Sequence, residues 1–167
     1  MYTGATLLQQ SVAHNGIRSI DSTQQARRLA AAAFDKAQSL GWWHRLFSRL
    51  TGRATQLLDL NDVQSGPSLG HRTYAGMRLV KIDAIRGSEG RERDFDAGFH
   101  PTQGHNMDRW ISVAVARQLG VALPPVELVQ VGDAYYVRDG HHRVSVARHL
   151  GQKEIEAEVT VWEATPA

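Results

Sequence analysis

Apolar positions between residues 22 and 40 recur at helical intervals: Ala26, Leu29, Ala30, Ala33, Phe34, Ala37 and Leu40. That spacing predicts a helix starting at Asp21 or Ser22 and stopped by Gly41. A second amphipathic segment follows, Trp42 to Leu50. Trp42, Trp43, Leu46, Phe47 and Leu50 are apolar, Arg45 and Arg49 stand one turn apart, and Gly52 closes the segment. Residues 1–21 carry no clear period and read as a flexible leader. The arm therefore covers 22–60, and the turn-forming stretch 61–77 reads as a linker.

The pattern changes beyond residue 78. Val80-Lys81-Ile82 alternates and reads as a first strand, and 87–104 is a charged loop. Asn106 is placed to cap a helix from Met107 to Leu119, stopped by Gly120. Pro124-Pro125 excludes helix. Val126 to Val131 and Ala134 to Arg138 flank Gly132-Asp133, a hairpin turn of the Gly-X kind. A short helix, Val144 to Leu150, precedes a last strand, Ile155 to Trp162. In that strand Ile155, Ala157, Val159 and Val161 share one face. This order defines an α+β domain over 78–162, preceded by the helical arm and followed by a short tail, 163–167.

Composition narrows the chemistry. There is no cysteine, which excludes disulfides, thiolate metal sites and thiol nucleophiles. No apolar run is long enough to span a bilayer, and the start of the chain lacks a secretory pattern. A cytoplasmic protein without a membrane partner is expected, with 22–50 packing on the domain or docking a second copy or a protein partner. A net charge of +2 is small for a nucleic-acid binder. DNA or RNA is therefore a secondary expectation.

The richest chemistry lies in Asp139-Gly140-His141-His142-Arg143, between a strand and a helix. Glycine permits a sharp turn, the N–H groups of a helix start favour an anion, and arginine's fork suits phosphate. The loop after the first strand has the same character: Gly90 allows close approach, and Arg91 and Arg93 can clamp phosphate. Glu89 and Asp139 are the candidate general base or Mg²⁺ ligand. Arg109, near a helix start, is within reach of a ligand. His100, His105, His141 and His142 are a conceivable metal set, though not at a recognised ligand spacing.

These segments together resemble the ParB/sulfiredoxin superfamily. Leu79-Val80-Lys81-Ile82-Asp83-Ala84-Ile85 resembles its opening strand, and Gly87 to Phe95 falls at its first box. Leu123-Pro124-Pro125-Val126 resembles the segment leading into its hairpin, and Asp139 to Arg143 falls at its second box. The resemblance implies a small mixed sheet with helices that binds a nucleotide through the second box. Sulfiredoxins carry Gly-Cys-His-Arg there. His141 replaces the cysteine, so sulfinic acid reduction is excluded, while the phosphate-holding pair is kept as His142 and Arg143. Partitioning proteins carry Gly-Glu-Arg-Arg and a following DNA-reading domain. The glutamate is missing here and five residues follow the last strand, so partition-site recognition is not expected. Free-serine kinases of the superfamily carry Asp-Gly-His-Thr-Arg, one residue different.

The resemblance and the residues together lead to one expectation. It is a nucleotide-binding domain (CTP, ATP or ADP, with Mg²⁺) using Gly90, Arg91, Arg93, Arg109, Gly140, His141, His142 and Arg143. An NTPase or phosphotransferase would add Glu89 and Asp139 as catalytic groups. The alternatives are a nucleic-acid module or ParB-like nuclease, and a non-catalytic regulator switched by nucleotide.

Overall fold

The computed structural model describes residues 5–51, 56–64 and 69–164. The stop expected at Gly52 and the last residues of the tail lie outside them. Ten main elements follow one another: α1 (Ala5–Thr51), β1 (Leu58–Asp59), α2 (Leu60–Gln64), β2 (Leu69–Lys81), β3 (Ile85–Ser88), α3 (Met107–Gln118), β4 (Val126–Val131), β5 (Ala134–Asp139), α4 (His141–His149) and β6 (Glu154–Ala164). The strands form one mixed sheet in the order β1-β3-β5-β4-β6-β2. β1, β3 and β5 run parallel as neighbours, as do β4 and β6, while β4–β5 and β2–β6 are antiparallel.

The alternation in β6 sets the inner face of the sheet. Ala157 and Val159 are buried with Val80, Ile85, Val126, Leu128, Val137 and Val144, placing α4 against the sheet. Ala30, Phe34 and Ala37 of α1 form a second cluster with Trp110 and Ile111 of α3 and Val146 of α4. The arm is thereby fixed to the domain. On the opposite face Leu60 of α2 covers Val129 and Tyr136. The expected hairpin forms, with Gly132 at φ +57° at the first turn position.

Several expected boundaries move. The flexible leader is helical from Ala5, and the helix runs unbroken through Gly41 to Thr51. Gly41 is a contact point and not a stop: a Cβ there would lie 2.9 Å from His100 Cβ. The arm's end joins the sheet as β1, and the linker 61–77 contains most of β2. The first strand is not 79–85, because Ile82–Ala84 is a 3-10 turn that separates β2 from β3. Asn106 makes no cap. It closes a 3-10 turn with helical φ and ψ, and its side-chain amide donates to Asp94 O at 3.5 Å. Residues 163–164 of the tail belong to β6. The helix after the second box starts at His141, three residues before Val144, so His141, His142 and Arg143 form its first turn.

Candidate functional site

Parallel pairing of β3 with β5 brings the two candidate loops to one end of the sheet. Ser88, at the end of β3, pairs with Val137, and Glu89 N–H continues the ladder to Val137 O at 2.9 Å. Strand ends of this kind are where α/β folds place ligands. β5 then turns into α4 at Gly140, which has φ +95°. A Cβ there would lie 2.6 Å from Val126 Cγ1, so both the turn and the space require glycine. The first N–H of α4 to bond back along the helix is that of Val144, to Gly140 O at 3.0 Å. The N–H groups of His141, His142 and Arg143 are therefore the unsatisfied donors of a helix start, with the positive end of its dipole.

A cavity of about 320 Å³ opens over this turn. Arg91, Arg109 and Arg143 line it with the single carboxylate of Asp139, and Gly140, His141 and His142 form its base. Three guanidiniums against one carboxylate leave the pocket positive even with both imidazoles neutral.

Both imidazoles are neutral at pH 7. The His141 pKa is pushed down to about 4, first by burial and then by the charges of Arg91 and His142. His142 is pushed down to about 4 as well, by burial and by Arg91 and Arg109. Phe95 walls both rings, stacking on His141 at 6.0 Å and meeting His142 edge-on at 5.3 Å.

His141 has a definite network. One ring nitrogen is hydrogen-bonded to the Val137 backbone, and Nε2 lies 2.8 Å from Ser88 Oγ. For a neutral ring that places the proton on the nitrogen facing the Val137 carbonyl, and Nε2 accepts from the Ser88 hydroxyl. Ser88 Oγ in turn accepts Arg91 N–H at 2.9 Å. The fully buried Ser88 thus ties the first loop to the second turn. Sequence reasoning passed over it, because a small polar residue at a strand end carries no periodic signal. His142 differs: it lines the cavity, and its Nδ1 is buried with no hydrogen-bond partner. An imidazole in that condition is a group still to be satisfied.

The remaining predicted residues divide. Arg143 lines the cavity, but its guanidinium is engaged in the fold. Nη1 donates to Pro124 O and Pro125 O, both at 2.6 Å, and Nη2 donates to the Asp139 carboxylate. It ties the segment before β4 to the turn before α4. Arg91 makes one loose pair with Asp94, at 3.6 Å. Arg109 makes no hydrogen bond or ion pair among the described residues and lies close enough to His142 to depress its pKa. Arg93 is 88% exposed beside Glu92 and does not line the cavity, nor does Gly90.

Glu89 is also drawn away from the cavity. Arg138 Nε donates to one oxygen at 2.8 Å and Arg72 donates to the other at 3.3 Å. Burial alone would raise its pKa, but the two guanidiniums outweigh burial and hold it below the ordinary glutamate value. A carboxylate so held is a weak base, and its oxygens are already occupied.

The residues do not fit a resident metal. Asp139 is paired to Arg143 and Glu89 to two arginines. No group of three histidine or carboxylate side chains among the described residues could hold an ion. In the conceivable histidine set, His100 instead bonds Asp96 at 3.0 Å, His105 lies 3.6 Å from Asp94, and His141 is spent on Ser88.

The class defined by fold and site is an α+β domain with a positively charged cradle where two parallel strand ends meet a helix start. Among solved structures the chain is similar to a sulfiredoxin from Arabidopsis thaliana. The TM-score is 0.37 at 20% identity, over 52% of this chain and 86% of that one. No family model and no curated protein matches. No helix among the described residues is long and apolar enough to cross a membrane.

Proposed function

We propose that the cradle binds the phosphates of a nucleotide. The observation that carries this reading is the convergence of the α4 start, with its unsatisfied N–H groups, and the guanidiniums of Arg91 and Arg109 on one cavity. Like charges gathered with only the loose Arg91–Asp94 pair to balance them are stabilised by an anion, and backbone N–H groups suit phosphate oxygens. A second cavity of about 330 Å³ lies across the Arg143–Pro124 bridge, with Leu79, Leu123, Pro125 and Ile155 among its lining. Arg117, Gln152, Glu154 and Glu156 share that lining, and this mixed surface offers hydrogen-bond partners to the sugar and base of a ligand whose phosphates rest on the α4 turn.

The division of labour differs from the sequence expectation. Arg91, Arg109, His142 and the first-turn N–H groups face the ligand, and Arg143 and His141 hold the turn in shape. If the nucleotide is turned over, the carboxylate role falls to Asp139, because Glu89 does not line the cavity. Catalysis would then be mostly positioning and charge stabilisation. Magnesium would arrive on the ligand's phosphates.

Calorimetric titration with CTP, ATP and ADP, each with and without Mg²⁺, tests the reading. Saturable binding of one of them is expected, weakened at least about tenfold in Arg91→Ala and in Arg109→Ala, the loss of one charge-assisted phosphate contact. A folded protein that binds none of the three would refute the reading. Binding that requires polynucleotide and collapses with added salt would transfer the site to nucleic acid.

A further inference from the structure

α4 meets the arm across a second polar cleft, one to two turns beyond the cradle. Ser145, Arg148 and His149 stand at i, i+3 and i+4 on one face of α4 and line it from the domain side. Lys36 and Leu40 line it from α1, and His100 from the loop between β3 and α3. Its volume is about 230 Å³, and it shares no lining residue with the cradle. The wall at His100 is closely fitted. A Cβ at Gly41 would lie 2.9 Å from His100 Cβ, and one at Gly98 would lie 2.6 Å from His100 Cε1, so both glycines make room for that side chain. Asp96 holds it in place, its carboxylate accepting from His100 Nδ1 and from the N–H groups of Gly98 and His100.

The cleft gathers donors that the fold leaves unused. Ser145 is only 3% exposed, and its Oγ accepts the Trp110 indole N–H at 2.9 Å, so its hydroxyl proton has no acceptor among the described residues. Arg148 gives Nη2 to the carbonyls of Ile82 and Ile85, at 2.8 and 2.9 Å, and makes no hydrogen bond through Nη1 among the described residues. Lys36 is exposed and makes no hydrogen bond or ion pair there. The His149 ring meets Trp110 edge-on at 5.5 Å, and burial and the charges of Lys36 and His100 hold its pKa below the ordinary value. Asp83 and Asp96 lie near enough to act on the charge of Arg148, but neither lines the cleft. We infer that this cleft is a second anion site, for a phosphate group that is free or carried by a small molecule. An ammonium, a guanidinium, an imidazole and a hydroxyl from both sides suit the several oxygens of a phosphate better than the two of a carboxylate. Ala37 and Leu40 leave an apolar wall for a short carbon chain. A bound phosphate would bridge Lys36 of the arm and Arg148 of the domain. The inference stands apart from the nucleotide reading, since the two sites share no residue.

Titration of the full chain with inorganic phosphate, glycerol 3-phosphate and acetate, at constant ionic strength and followed by NMR of the His149 imidazole, tests the assignment. Saturation by at least one of the phosphates is expected, with a Kd of about 1 mM or tighter, and none by acetate. Tighter binding of glycerol 3-phosphate would mark a phosphate monoester as the ligand, and tighter binding of inorganic phosphate would mark the free ion. Lys36→Ala should weaken the binding at least about tenfold and keep its circular dichroism, because the side chain is exposed and unpaired. Arg109→Ala, in the cradle, should leave it unchanged. Absence of saturation by both phosphates, equal affinity for acetate, or unchanged affinity in a folded Lys36→Ala overturns the inference. So does a loss of the His149 response in Arg109→Ala, which would give the phosphate to the cradle.

Discussion

The turn into α4 and the loop after β3 both bring an arginine to the same cavity, yet they hold it in opposite ways. Arg143 is bonded to two proline carbonyls and an aspartate, on a turn whose glycine has no room for a methyl group. Arg91 has one loose partner and a side chain that is half exposed. An arginine with every contact made is a strut, and one without them is a ligand contact in waiting. Residue type and position in a motif do not separate the two, but the acceptors already present do.

The largest test of this contrast is acid. His141 and His142 are held neutral in the fold, with pKa values near 4 against an ordinary 6.5. For a depressed histidine pKa the unfolded chain binds the extra protons. The stabilisation is therefore complete above pH 6.5 and is lost progressively as pH falls toward 4. Each ring should cost about 3 kcal/mol over that window. Melting temperature against pH should fall steeply between 6.5 and 4, and a level curve there would mean that the rings are not buried as described. Gly140→Ala should come next, at about 3 kcal/mol, combining a left-handed φ with a methyl group driven into Val126. Chemical denaturation measures it.

Arg143→Ala should cost about 2 kcal/mol, because it strands the Pro124 and Pro125 carbonyls beside the Asp139 carboxylate. It should also weaken nucleotide binding, but only through the shape of the turn. Its stability loss and affinity loss should be restored together by Arg143→Lys in part, and a loss of affinity without any loss of stability would return Arg143 to the ligand. Glu89→Gln is smaller, about 1 kcal/mol, since one neutral amide replaces a carboxylate shared by Arg72 and Arg138. Nucleotide affinity should not change. A large loss of turnover with intact stability would put Glu89 back among the reacting groups.

How much of this was legible beforehand depends on where each residue's partners lie. The alternation of β6 and the Gly132 turn were read correctly because their determinants are local. β2 was missed because it is an edge strand: His71, Arg72, Thr73 and Tyr74 are all exposed, so no buried alternation marks it. The stop assigned to Gly41 failed because that glycine answers to His100, far along the chain. At the site the cluster Gly140 to Arg143 was visible as a whole. The separation of Arg143 from Arg91, the pairing of Glu89 and the link through Ser88 were not. Each depends on contacts between residues 17 to 53 positions apart in sequence.

Arg91→Ala is the smallest expected change in stability and the one that separates the two regions most cleanly. Removing a half-exposed guanidinium with one loose ion pair should move the unfolding free energy by no more than about 0.5 kcal/mol. The Arg91 backbone N–H survives the substitution, so the Ser88–His141 link that shapes the loop is kept. Taking the cation away should also let the His142 pKa rise toward its ordinary value, because Arg91 is the first charge that depresses it. NMR titration of that imidazole reads the shift, and calorimetry on the same sample reads the affinity. A raised His142 pKa with nucleotide binding weakened at least about tenfold places the guanidinium at the cavity as a ligand contact. A raised pKa with unchanged affinity would leave Arg91 in the cavity but remove it from the ligand, and the α4 turn and Arg109 would then have to hold the phosphates alone.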